Sequence, residues 1–65
     1  MSFNKLDSLF DTLQNEINDS QSDVTKFVEG NNSAGTRVRK AMQNVKALAQ
    51  RIRIEIQEQK NSQFY

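Results

Sequence analysis

Apolar residues recur at alternating three- and four-residue intervals in two long blocks of this 65-residue chain. The first block runs from Phe3 to Phe27 with Ser20 at one of its apolar positions, and the second runs from Val38 to Ile56. This spacing is the seven-residue repeat of helices that pack side by side. The chain has no Pro and only two Gly, so few residues disfavour long helices. We therefore expect an all-α protein without strands.

The two blocks are separated by a short segment of small and polar residues, from Glu29 to Gly35. Gly30 can take the left-handed conformation that ends a helix. Asn32 or Ser33 can cap the helix that follows, and Ser2 suits the N-cap of the first. A short turn between two long helices predicts an antiparallel helical hairpin. We expect one domain over residues 1–65, with helix 1 at about 3–29, the turn at 30–33, helix 2 at about 34–60 and a frayed tail at 61–65.

A hairpin of two helices cannot enclose a core, and a chain of this length buries only about 60% of its unfolded surface. The sequence has no Cys and no His, which excludes disulfides and the usual zinc sites. Self-association is the remaining source of stability. We therefore expect the hairpin to dimerise into a four-helix bundle or coiled coil, or to form a higher oligomer. The predicted shared core consists of Phe10, Leu13, Ile17, Val45, Leu48 and Ile52.

The net charge of +1 conceals a strong asymmetry between the halves of the chain. Two lysines against six acids give residues 1–30 a charge of −4, and seven Lys or Arg against two acids give residues 31–65 a charge of +5. No acid interrupts residues 36–53, where Arg outnumbers Lys four to two. The planar guanidinium suits phosphate geometry, so this helix is predicted to contact nucleic acid. The predicted contacts are Arg37, Arg39, Lys40, Lys46, Arg51 and Arg53.

Three of these cations, Arg39, Lys46 and Arg53, repeat every seven residues along one edge of the apolar stripe. Two other interpretations of the basic helix stay open: a solvated surface, or a surface that pairs with the acidic first helix. Gly35, in the first turn of helix 2, indicates close approach of a backbone, a partner or a phosphate, with a loose turn as the alternative.

The run from Gly30 to Gln43, GNNSAGTRVRKAMQ, resembles the turn and second-helix signature of the bacterial linker-histone-like proteins. Its continuation through Lys46–Gln50, Ile52, Ile56 and Lys60–Ser62 is similar to the short Bacteroidetes-type members. The resemblance is close over residues 28–62 and limited to heptad character over residues 1–27. It implies a DNA-associating nucleoid protein, a role carried by Arg37, Arg39, Lys40 and Lys46.

This sequence differs from the family pattern at two places. Asn32 stands where relatives often have Lys, and the chain ends in Gln63-Phe64-Tyr65 rather than the long Lys/Ala/Pro-rich tail of chlamydial-type members.

Residues that carry catalytic chemistry are scarce in this sequence. There is no His or Cys for acid–base or nucleophilic work, and no Gly-rich phosphate loop. We expect no enzyme, no cofactor, no metal and no small-molecule substrate. There is no secretory signal and no long apolar run, so we expect a cytoplasmic, nucleoid-associated protein that does not contact membranes. The predicted function is sequence-independent, histone-like binding of double-stranded DNA. The alternative is a structural protein–protein assembly module of a larger particle, such as a viral one.

Overall fold

Two antiparallel helices form the whole of the fold described by the computed structural model, which covers residues 4–62. Helix α1 spans Lys5–Val28 and helix α2 spans Asn32–Ser62. The hairpin is a flat slab with Cα extents of 55 × 22 × 11 Å. The predicted all-α hairpin is confirmed.

Helix α1 begins one residue after Asn4, whose extended backbone and side chain form the N-cap. The Asn4 Oδ1 accepts a hydrogen bond of 2.8 Å from the backbone N–H of Leu6, satisfying one of the free donors at the helix start. Ser2 was predicted for this role, which is wrong, and Ser2 itself lies outside the described residues. The helix therefore starts two residues later than its apolar repeat indicates.

The turn between the helices is a Schellman motif closed by Gly30. Gly30 adopts a positive φ of 109°, as predicted. The backbone N–H groups of Gly30 and Asn31 donate to the carbonyls of Phe27 and Lys26, both at 3.0 Å. The Asn31 Oδ1 then accepts from the backbone N–H of Ala34 at 3.1 Å, so Asn31 caps α2. The expected caps, Asn32 and Ser33, instead form the first turn of α2.

The C-terminal end of α2 continues through Asn61 and Ser62, which were predicted to fray. The Ser62 hydroxyl donates to the Glu58 carbonyl at 3.1 Å, as the side chain of a residue within a helix does. The rest of the predicted tail, residues 63–65, lies outside the described residues.

Each helix turns two adjacent seven-residue rows toward the other helix, and most of these side chains are only half-buried. Among residues 4–62, Ala34 is the one fully covered apolar residue, and Ser20 is the one buried polar residue. The Ser20 hydroxyl donates to the Ile17 carbonyl at 2.8 Å, so it needs no partner from α2. The half-covered apolar positions between the helices are Leu6, Leu9, Leu13, Val38, Ala41, Val45, Leu48 and Ile52. The hairpin alone therefore has no enclosed core in this part of the chain.

Gly35 lies beneath the ring of Phe27, which packs back from the end of α1 onto the first turns of α2. A Cβ placed on Gly35 would come within 2.5 Å of Phe27 Cδ1 and 2.7 Å of its Cε1. The group that approaches Gly35 is a side chain of the chain itself, which was not among the three expected there: a backbone, a partner or a phosphate. No phosphate is required to explain a glycine at this position.

Candidate nucleic-acid interface

The two broad sides of the slab have different chemistry, and the first is polar. On this side the Glu16 carboxylate accepts a hydrogen bond from the Asn44 amide at 3.1 Å. Near the open end, Lys5 Nζ lies 3.9 Å from Glu55 Oε1. These contacts join α1 to α2 on one side of the slab. We call this side the polar side, and the helical repeat places Lys5, Lys26, Arg37 and Arg51 on it.

Arg37, one of the predicted DNA contacts, forms an ion pair within the hairpin. Its Nη2 and its Nε both lie 3.0 Å from Asp23 Oδ1, and the Asp23 side chain is only 19% exposed. The alternative prediction, pairing of basic residues with the acidic first helix, therefore describes Arg37. Among the described residues, no ion pair forms at the other five predicted contacts, Arg39, Lys40, Lys46, Arg51 and Arg53.

Arg39, Lys46 and Arg53 stand in one row on the other side of α2, and all three are exposed. Residues seven apart lie on nearly the same side of a helix, about 10 Å apart along its axis. Arg39 and Lys46 border a shallow depression that also contains Val38 and Met42, so the row runs beside apolar surface. Thr36, Gln43 and Gln50 are exposed along the outer side of α2, where they add neutral hydrogen-bonding groups.

Lys60 extends this row and was missed by the sequence interpretation. It lies seven residues beyond Arg53, is exposed, and falls inside α2 because that helix runs to Ser62. The signal was present in the seven-residue spacing, but a helix end placed near residue 60 concealed it. We call the row Arg39, Lys46, Arg53 and Lys60 the basic row, and it covers about 30 Å of helix.

The second broad side of the slab is apolar. Exposed fractions on it are 51% for Phe10, 44% for Ile17, 42% for Met42 and 38% for Ile56. A depression lined by Phe10, Ile52 and Ile56 shows that apolar side chains of both helices meet on this side. We call this side the apolar face, consisting of Phe10, Ile17, Val24 and Phe27 from α1 and Met42, Ala49 and Ile56 from α2.

The residues predicted as a shared oligomer core divide between two surfaces. Leu48 turns toward α1, while Leu13, Val45 and Ile52 lie half-buried where the two helices meet. Phe10 and Ile17 stand exposed on the apolar face. The predicted set thus includes side chains of the hairpin's own interface as well as side chains open to a partner.

Comparison with known protein families assigns nearly the whole chain to one family. The family model described as histone H1-like protein Hc1 matches residues 4–62, which is nearly the full length. The chain belongs to the histone H1-like Hc1 family. The resemblance to linker-histone-like proteins is thereby confirmed at the level of the family, and membership of the short Bacteroidetes-type group stays a prediction. Searches of curated proteins and of solved structures found no match.

Membership of the Hc1 family indicates a DNA-binding, histone-like protein associated with the nucleoid. It is a family of DNA-binding proteins rather than enzymes. Neither α1 nor α2, as described over residues 4–62, is apolar and long enough to cross a membrane. Over the same residues, no three acidic side chains cluster as a metal site would require.

Proposed function

We propose that this protein binds double-stranded DNA without sequence preference, through phosphate contacts made by the basic row of α2. The observation that supports this proposal is the row itself: four exposed cations at seven-residue intervals, the first three of them within a stretch, residues 36–54, that contains no acid. Each strand of duplex DNA carries one phosphate per about 3.4 Å of helix axis, so a 10 Å step of the row laid along that axis passes about three phosphates of one strand. One side chain is enough to bind a single anion, so a row of four cations indicates a ligand with many phosphates.

The three other predicted contacts contribute less to DNA binding than the basic row does. Lys40 is exposed on the outer surface of α2 and can approach the same duplex from the other flank. Arg51 lies on the polar side, near Glu55 and Glu58, and Arg37 is held by Asp23. The basic row therefore supplies most of the phosphate contacts, and the three other cations contribute less.

Acidic residues of α1 do not cancel this attraction. Glu16 and Asp23 face α2 and make hydrogen bonds within the hairpin. Within one hairpin, the exposed acids Asp7 and Asp11 belong to the helix that lies farther from a duplex on α2, in a slab that is 22 Å wide. Charges in solution are screened over about 8 Å at physiological ionic strength. A duplex lying against the outer surface of α2 is therefore attracted by the near cations more strongly than it is repelled by the far acids.

Sequence independence follows from the type of contact. Phosphate contacts position a protein on DNA and carry no base information. The proposal includes self-association, because a hairpin without an enclosed core gains stability from a partner and because several weak sites acting together raise affinity.

Fluorescence anisotropy with labelled duplexes of unrelated sequence tests the proposal. We expect wild-type protein to bind each duplex with similar affinity at low salt, and to lose affinity steeply as salt rises. Binding to one sequence at least a hundredfold more tightly than to the others would contradict it. If no duplex is bound even at low salt, a protein–protein assembly module is the better account, and the exposed apolar face already favours that second candidate.

A further inference from the structure

The apolar face lacks a partner in the hairpin. Phe10, Ile17, Val24 and Phe27 are 40–51% exposed along α1, and Met42 and Ile56 are 42% and 38% exposed along α2. Depressions on this side lie at both ends of the slab, one at Phe10 and Ile56 and one at Phe27 and Gly35. The apolar surface therefore runs the length of the hairpin. Contiguous apolar surface of this extent is typical of a protein-binding site.

A second copy of this chain fits the apolar face in size and composition. The broad side of the slab has Cα extents of 55 × 22 Å, which leaves room for the roughly 800 Å² that each partner contributes to a stable interface. The same surface on two copies is self-complementary about a twofold axis. Covering it would also enclose the half-buried Leu13, Val45 and Ile52 of each copy.

Two arrangements bring apolar faces together, and charge distinguishes between them. If the turns lie at opposite ends, each α2 packs on the partner's α2, and the two basic rows meet along one seam. If the turns lie at the same end, each α2 packs on the partner's α1. The basic row then meets the α1 row of Asp7, Gln14 and Gln21, two of which line the apolar depression at Phe10. The second arrangement replaces like-charge contacts with neutral and opposite-charge contacts, which stabilises the pair.

We propose that two hairpins pair through their apolar faces with their turns at the same end, and that this dimer bridges two DNA duplexes. In this arrangement the two copies of α2 occupy diagonal corners of a four-helix bundle. Their basic rows face opposite flanks, about a bundle's width apart, so a single straight duplex contacts only one row. The bridging step rests on the proposed DNA binding, whereas the pairing of hairpins does not.

The direction of pairing is tested with a spin label at Ser33, an exposed residue in the first turn of α2. The chain has no Cys, so Ser33→Cys gives one label per protomer. With turns together, diagonal helices place the two labels less than about 30 Å apart. With turns at opposite ends, the length of α2 separates them by more than about 40 Å. Double electron–electron resonance measures the distance, and either the long distance or a monomer without dipolar coupling would overturn the proposal.

A matched pair of variants tests whether the apolar face is the interface. Ile17→Gln changes the apolar face, and Ile54→Gln changes an isoleucine of similar exposure, 48% against 44%, that lies outside it. We expect Ile17→Gln to raise the dimer dissociation constant at least about tenfold, because each dimer carries the change twice. Ile54→Gln should leave it within about twofold. Equal effects of the two variants in sedimentation would overturn the proposal.

Bridging is measured by capture of a fluorescent duplex on beads that carry a second, biotinylated duplex. Wild-type protein should link the two, and Ile17→Gln should bind either duplex while linking them at least about tenfold less. If wild-type protein binds DNA as a dimer but links no duplexes, the bridging inference is wrong and the proposed function stands. If it binds no DNA, the proposed function is wrong, and the spin-label distance still decides how the hairpins pair.

Discussion

The contact between Gly35 and Phe27 allows a stability change to be worked out from the structure. A Cβ on Gly35 would lie 2.5 Å from the Phe27 ring, too close for any real side chain, so the ring must move in Gly35→Ala. The ring is half-exposed, at 51%, and solvent gives it room to swing away. Its covered half amounts to roughly 100 Å². At about 25 cal/mol per Å², complete loss of that contact costs about 2.5 kcal/mol.

Alanine also favours a helix over glycine, by up to about 1 kcal/mol. The two effects oppose each other in the wild-type background, so we expect Gly35→Ala to lower the free energy of unfolding by up to about 1.5 kcal/mol. In a Phe27→Ala background no ring has to move, and the same change should raise the free energy of unfolding by about 1 kcal/mol. Urea denaturation followed by circular dichroism measures all four proteins at one concentration, since self-association makes stability concentration-dependent. Stabilisation of equal size in both backgrounds would refute this account of Gly35.

Two further predictions concern contacts that set the hairpin geometry. Arg37→Gln, Asp23→Asn and the double variant should each lower the free energy of unfolding by at most about 1 kcal/mol, because Arg37 is half-exposed and solvent screens the ion pair. A double-mutant cycle in urea measures the coupling between the two residues, and a coupling above about 2 kcal/mol would contradict the prediction. Asn31→Ala should cost about 1 kcal/mol through loss of the α2 cap, whereas Asn32→Ala should cost less than half of that, and thermal denaturation of the two variants compares them.

The hairpin was predictable from the sequence because its signals are local. The seven-residue repeats specify two helices, and Gly30 between them specifies where the chain reverses. The cap positions were less accurate, because the Schellman turn brings Asn31 rather than Asn32 to the start of α2. Several residues near a helix start have suitable side chains, and the turn geometry selects among them.

The repeats alone could not predict which side of each helix packs against the other helix. A repeat identifies an apolar stripe, and the packing of the second helix decides which edge of that stripe becomes covered. In α1 the covered rows include Glu16 and Asp23, whose polar contacts reach α2, while Phe10 and Ile17 remain exposed. Those polar contacts depend on residues far apart in the sequence. Arg37 is a further example, because its charge indicated a DNA contact, whereas its position in the folded hairpin places it beside Asp23.

The salt dependence of DNA binding tests most directly whether the basic row of α2 contacts DNA phosphates. One variant replaces the basic row, Arg39, Lys46, Arg53 and Lys60, with Gln, and a matched control replaces the four cations of the polar side, Lys5, Lys26, Arg37 and Arg51, with Gln. Each variant loses two Arg and two Lys, so the two variants have the same net charge. Circular dichroism of both variants checks that they remain helical.

The measured quantity is the slope of the logarithm of the DNA-binding constant against the logarithm of salt concentration. Each neutralised phosphate contributes about −0.9 to this slope. The basic-row variant should therefore lose up to about 3.6 units of slope per protomer, and the polar-side control should lose less than about 1. Equal losses in the two variants would show that net charge rather than the basic row attracts DNA, and an unchanged slope in the basic-row variant would contradict the account outright.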